Sequence, residues 1–216
     1  VEACGIPVAK GRVVRSAAEV RKAADDLPQP QVLKILSPKI SHKTDVGGVR
    51  LDLRDPEEAA GAYAELVQGV SRRVPEAKIE GAYLQAMVRG GREVILGMKR
   101  DPYFGPVLLF GLGGIFVEVL RDVAIRVGPL GSRDARAMIS DIRAYPVLKG
   151  LRGRPPCHES ALVDALLCLS RLAEAFPQIA EVDLNPAAVF DVGKGLRVLD
   201  ARVILDERGD AGPARP

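Results

Sequence analysis

The chain has 216 residues, a length that suits one domain or two small lobes. Its 31 Lys and Arg against 28 Asp and Glu leave a charge of +3, too balanced for an electrostatic grip on nucleic acid or on an anionic membrane. Hydrophobic residues at 47% exclude wholesale disorder, and aromatic residues at 4% with no Trp argue against a base-stacking surface. No apolar run nears the roughly 18 residues of a membrane span, and the N-terminus has no signal-peptide pattern. Cys4, Cys157 and Cys168 are odd in number and lack CxxC spacing, as expected in a reducing, cytoplasmic compartment. Cys157 and His158 are adjacent, but with only two histidines in the chain and no further soft ligand nearby, a zinc site is not expected. Opening on Val1 without an initiating Met, the chain is expected to be a piece of a longer polypeptide.

Strand-like and helix-like segments alternate. Ser16 with Glu19 predicts a capping box and a helix to about Leu27. Residues 32–36 read as a short buried strand with Lys34 in its middle, and residues 49–53 alternate like a second strand. Asp55, Pro56 and Glu58 announce a helix, along which Ala59, Tyr63, Leu66, Val67, Val70 and Val74 line one face. Residues 81–88 and 93–99 read as strands, and Arg89-Gly90-Gly91-Arg92 between them predicts a hairpin. A strand over 107–111 runs into Leu112-Gly113-Gly114, and another follows over 123–127. Ser132 is expected to cap a helix to about Ile142, and residues 160–176 form the strongest helical pattern. Residues 180–190 and 196–205 read as a strand pair across a Gly193/Gly195 turn. Mixed hairpins and crossovers exclude a Rossmann sheet or a barrel and predict α+β architecture with two lobes meeting near residue 84. The predicted division is a small lobe over 1–84, a large lobe over 85–206 and a polar tail over 207–216.

Three places carry chemistry. Lys34, inside an apolar strand, must sit on a sheet edge and reach water, or else meet an anion. Ser41-His42-Lys43-Thr44-Asp45-Val46-Gly47-Gly48 is either a polar turn with a solvated histidine or a phosphate-handling loop, because paired glycines let backbone N–H groups converge on an anion beside Lys43. It is no Walker A loop, since GxxxxGK[ST] is absent. An imidazole such as that of His42 can attack phosphorus directly. Asp183 and Asn185 lie two apart on one strand face, and a hairpin would bring Asn185 close to Asp200. One or two oxygen side chains plus substrate phosphates are a common way to hold Mg²⁺; an Asx turn before Pro186 is the plainer account of Asn185.

The order of motifs is itself distinctive. Leu33-Lys34-Ile35, Ser41-His42-Lys43-Thr44-Asp45-Val46-Gly47-Gly48-Val49, Gly90-Gly91-Arg92-Glu93-Val94 and Lys99-Arg100-Asp101-Pro102-Tyr103-Phe104-Gly105-Pro106 follow one another. Phe110-Gly111-Leu112-Gly113-Gly114-Ile115-Phe116-Val117-Glu118 and Glu181-Val182-Asp183-Leu184-Asn185-Pro186 complete the series. From Gly5 to about Leu205 the chain resembles the ATP-grasp module of the ADP-forming acyl-CoA (acetate–CoA) synthetases, relatives of succinyl-CoA synthetase.

The resemblance implies an ATP-grasp fold, two α/β lobes with the nucleotide between them. It implies that Lys34 contacts the nucleotide phosphates and that Gly47 and Gly48, with Lys43 beside them, belong to a loop closing over them. Gln85, Ala86, Met87 and Val88 correspond to the hinge whose backbone reads adenine, and Glu93 to an acidic residue beside nucleotide and metal. Asn185 and Asp200 match the Mg²⁺ pair. Asp183 stands where a carboxylate steadies an incoming phosphohistidine, and His42 where a histidine relays phosphoryl between that group and the nucleotide. Arg100 and Arg126 are either caps on transferring oxygens or ordinary surface arginines. Ala86 replaces a ribose-binding carboxylate of many relatives, which leaves ATP against GTP open. The implied function is the nucleotide-binding, phosphoryl-transfer part of an acid–thiol ligase, acting with ATP or ADP and Mg²⁺. It would act together with CoA-binding and ligase domains, or with an alpha-type subunit carrying a phosphohistidine loop. The alternative is a non-catalytic regulatory module of a protein acetyltransferase; retained His42, Asn185 and Asp200 favour the enzyme.

Overall fold

The computed structural model describes residues 1–40, 42–114, 122–151 and 153–206. Ser41, the Ile115–Glu118 part of the Gly-rich motif and the polar tail lie outside the described residues. The chain divides into two compact units, Ala9–Arg89 and a second made of Val1–Val8 with Gly90 onward. The division thus falls at Arg89/Gly90 rather than near residue 84, which lies inside a strand.

The first unit contains β1 (Gly11–Val14), α1 (Ala17–Asp25), β2 (Gln31–Leu36), β3 (Val49–Leu53), α2 (Pro56–Arg73) and β4 (Gly81–Ala86). Its four-stranded antiparallel sheet has the order β1-β4-β2-β3. Ser16 Oγ accepts the Glu19 N–H and starts α1; Asp55 accepts the Glu58 N–H at 2.8 Å and, with Pro56, starts α2. Leu33, Ile35, Ala82 and Leu84 alternate onto one face, where they form a core with Val20, Leu66 and Val70 of the helices. Full burial of each large side chain contributes about 1.5–3 kcal/mol. The opposite face of the sheet carries Val32, Lys34, Tyr83 and Gln85, by the same alternation.

The second unit holds β5 (Arg92–Asp101), β6 (Gly105–Leu112), β7 (Val123–Val127), β8 (Ile179–Val189), β9 (Leu196–Val198) and β10 (Ala201–Leu205). These strands form one antiparallel sheet in the order β10-β8-β5-β6-β7, with β9 also on β8. Helices α3 (Ser132–Asp141), α4 (Tyr145–Lys149) and α5 (Glu159–Ala175) belong to this unit. Val94, Leu96, Met98, Leu108, Phe110, Val182 and Leu184 share a core with Met138, Ile139, Leu162, Leu166 and Leu169. The first residues of the chain join this unit, where the Val198 N–H donates to the Pro7 carbonyl at 2.8 Å.

Two local expectations are corrected. Residues 81–88 and 93–99 do not form a hairpin: β4 pairs with β1 and β2, and β5 with β6 and β8. Gly90 and Gly91 do take left-handed backbone, φ 77 and 80, but they connect the two units. Turn chemistry licenses a reversal without choosing the partner strand. Ser132 is the first helical residue rather than the cap; Gly131 occupies that position, its N–H held by Asp134 Oδ2 at 2.9 Å.

Candidate functional site

The face of the larger sheet turned away from this core collects the acidic and amide residues. On β8, Val182 and Leu184 turn into the core, so Asp183 and Asn185 point the other way. Asp183 is flanked by Gly97 on β5 and Arg202 on β10. Leu184 pairs with Ala201, and the Asn185 N–H donates to the Asp200 carbonyl at 3.1 Å. Asn185 and Asp200 are therefore brought together, as a hairpin requires. Asn185 is exposed, whereas Asp183 and Asp200 are half-buried. The backbone bends here: Leu199 and Asp200 both donate N–H groups to the Pro186 carbonyl, at 2.9 and 3.3 Å, and separate β9 from β10.

Glu93 occupies the same face of β5, next to buried Val94. Its carbonyl accepts the Gly113 N–H at 2.7 Å. A Cβ on Gly113 would lie 2.9 Å from the Glu93 Cβ, so only glycine permits this approach. Gly114 continues the contact, its ideal Cβ position lying 3.8 Å from Glu93 Oε2.

In the other unit, β2 lies between β4 and β3, so the edge-strand account of Lys34 is excluded. Its neighbours Leu33 and Ile35 are fully buried, and Lys34 faces Tyr83 across the ladder on the opposite face.

The loop after Lys34 departs from its expected form. His42 is exposed and Lys43 half-buried. The Gly47 and Gly48 amides do not converge on an anion in this conformation: they donate to the Thr44 and Lys43 carbonyls at 2.9 and 2.6 Å. Glycine is needed here for shape. Gly47 has φ 66, and a Cβ there would lie 2.0 Å from Arg73 Nη1. That guanidinium donates to the Val46 carbonyl at 2.9 Å and anchors the loop to α2. A Cβ on Gly48 would lie 2.6 Å from Ile35 Cγ2. Arg73 carries no sequence signal for this task, being one of several basic residues that end α2.

At the end of β4 the main chain is also engaged. Ala86 donates its N–H to Lys10 and Met87 to Pro30, both at 2.9 Å. Gln85 is 3% exposed, while Ala86, Met87 and Val88 are half-buried.

With this geometry in view, the comparisons with known proteins are informative. A family model described as an ATP-grasp domain matches residues 1–205. The chain belongs to the ATP-grasp family. It is 44% identical to the beta subunit of acetate–CoA ligase (ADP-forming) I of Pyrococcus furiosus, over 93% of this chain and 86% of that subunit. Acetate–CoA ligase (ADP-forming) I of Archaeoglobus fulgidus is also 44% identical, over 96% of this chain, which spans 30% of that longer protein. The dinucleotide-forming acetyl-coenzyme A synthetase 1 of Ca. Korarchaeum cryptofilum, solved with coenzyme A, Ca-AMPCP and HgCl⁺, superposes with a TM-score of 0.90. It is 45% identical, covering 95% of this chain and 89% of that one. The same enzyme, solved with coenzyme A and Mg-AMPPCP and with its phosphohistidine segment pointing towards the nucleotide binding site, superposes with a TM-score of 0.78 at 40% identity, covering 95% and 88%.

Other conspicuous residues of this ATP-grasp chain are structural. Arg100 donates to the Ala173 and Ile179 carbonyls at 2.6 and 3.3 Å and so secures the end of α5. Arg126 pairs with Asp141 and donates to the Ile125 carbonyl at 2.8 Å. Burial pushes the Cys157 thiol up, partly offset by Arg92, and His158 Nδ1 accepts the Gly195 N–H at 2.8 Å. No group of three or more His, Cys, Asp or Glu able to hold a metal occurs among the described residues. No helix among them is long and apolar enough to cross a membrane.

Proposed function

We propose that this chain is the nucleotide-binding, phosphoryl-transferring part of an ADP-forming acyl-CoA synthetase. The net reaction is acyl-CoA + ADP + phosphate ⇌ carboxylate + ATP + CoA, passing through phosphohistidine. The observation that carries this reading is the main-chain pairing of Asn185 with Asp200, in a chain that matches such subunits along nearly its whole length.

Asn185 and Asp200 offer hard oxygen donors too few to cage an ion alone, which fits Mg²⁺ completed by nucleotide phosphates and water. Bound there, Mg²⁺ would neutralise charge on the phosphates. Glu93 stands beside nucleotide and metal. Lys34 and Lys43 add positive charge for the phosphates, and Gly47 and Gly48 shape the turn that carries Lys43 rather than lending their amides. With the Ala86 and Met87 N–H groups engaged, adenine is left to the Val88 amide, the hinge carbonyls and the Gln85 side chain. Asp183 steadies the partner's phosphohistidine. The P–N bond to the partner's imidazole breaks as one to His42 forms; a P–O bond to the terminal phosphate of ADP then replaces it. Phosphoryl transfer of this kind depends on alignment and charge compensation.

The partner is the CoA-binding and ligase portion, as fused domains or as an alpha-type subunit with a phosphohistidine loop. The unpaired thiols of Cys4, Cys157 and Cys168 support a reducing, cytoplasmic setting. The test is His42→Ala in the enzyme reconstituted with that partner. Nucleotide binding should stay within about twofold while turnover is lost, because removing a covalent relay abolishes the step it carries. Wild-type turnover would remove His42 from the mechanism.

A further inference from the structure

Two glutamines are buried in the smaller unit, and they are treated differently. Gln31, 1% exposed, donates Nε2 to the Ala24 and Leu27 carbonyls at 2.8 and 2.9 Å. Gln85 is 3% exposed, yet its Oε1 has no hydrogen-bond partner, alone in this among buried side-chain nitrogens and oxygens of the described residues. A buried acceptor left without a donor is costly, and each such case in a folded protein asks for an explanation.

The position supplies one. Gln85 pairs with Val32 on β2 and Gly11 on β1; one step along, Tyr83 pairs with Lys34. Gln85 and Lys34 therefore share the face of the sheet turned away from the helices of this unit, and Gln85 opens the hinge segment. Its backbone cannot drift, because the next two amides are tied to Lys10 and Pro30. The result is a buried amide oxygen in want of a donor on a strand end whose main chain is held.

We propose that Gln85 selects adenine over guanine nucleotides, its Oε1 accepting a hydrogen bond from the 6-amino group of the base. The assignment rests on the nucleotide-binding reading above. Adenine presents a donor at position 6 beside ring-nitrogen acceptors, which match the oxygen and the N–H₂ of a glutamine amide. Guanine presents a carbonyl at position 6, so acceptor would face acceptor, and a site left with unpaired polar groups rejects the ligand.

The test is calorimetric titration of the chain with Mg²⁺-ADP, Mg²⁺-GDP and Mg²⁺-IDP, for wild type, Gln85→Leu and Gln85→Glu. Wild type should bind ADP at least about tenfold more tightly than GDP or IDP, and Gln85→Leu should erase that preference by weakening ADP alone. Gln85→Glu keeps an acceptor and should keep the preference. Because Oε1 has no partner to lose, Gln85→Leu should melt no lower than wild type. Equal affinity of the wild type for ADP and GDP, as from an amide free to rotate, overturns the assignment alone. Equal losses for all three ligands in Gln85→Leu do the same, as does a folded Gln85→Glu without the preference. A wild-type chain that binds none of the three overturns both readings.

Discussion

The backbone N–H of Asn185 donates to the carbonyl of Asp200 at 3.1 Å, which brings the two oxygen-bearing residues together just before β10 begins its pairing with β8. Main-chain bonds build this pair, reinforced where Leu199 and Asp200 donate to Pro186. A side-chain change at either residue can thus remove a donor while the frame persists.

Asp200→Ala should accordingly abolish the Mg²⁺-dependent tightening of ATP binding with little loss of nucleotide affinity in the absence of metal. Titrations with ATP, with and without Mg²⁺, measure this. Unchanged metal dependence in the variant would place the ion elsewhere.

Gly47 is held at φ 66 with Arg73 Nη1 where a Cβ would go. Left-handed backbone costs a residue other than glycine about 1–2 kcal/mol, and Arg73 would also have to leave the Val46 carbonyl. Gly47→Ala should lower the melting temperature by at least about 2–8 °C, at roughly 2–4 °C per kcal/mol for a chain of this size. An unchanged melt would show that the loop does not keep this shape.

Asp101 holds the turn between β5 and β6, its Oδ1 accepting the Tyr103 and Phe104 N–H groups at 2.8 and 3.0 Å. The Phe104 bond first, then that from Tyr103, holds its carboxyl below the ordinary value. A depressed carboxylate contributes stability above its unfolded pKa, about 3.9, and loses it as pH falls through the lower folded value. The destabilisation by Asp101→Ala should therefore be full near neutrality and shrink in acid below that range. A pH-independent difference between the two melting curves would contradict this.

Legibility followed the range of the interactions. The Ser16 and Asp55 caps and the alternation around Lys34 are local, and could be read from neighbouring residues. The partnering of β4 and β5 is not local: Gly90-Gly91 looks the same whether it closes a hairpin or links two units. The Asn185/Asp200 juxtaposition was readable because a Gly193/Gly195 turn lies between them. Arg73 reaching Val46, and the glycine amides spending their hydrogen bonds inside their own loop, depend on folded geometry that motif spacing does not encode. Gln85 was legible as a strand residue but not as an unpaired acceptor, which only burial reveals.

Thermal melting of the chain with and without Mg²⁺-ADP tests the central claim most directly. Nucleotide at about 100 times its dissociation constant should stabilise the fold by roughly 2.7 kcal/mol. At about 2–4 °C per kcal/mol the melt should rise by roughly 5–11 °C, and removing Mg²⁺ should diminish the rise. A chain that melts cooperatively at the same temperature with ADP, ATP or neither would contradict the account.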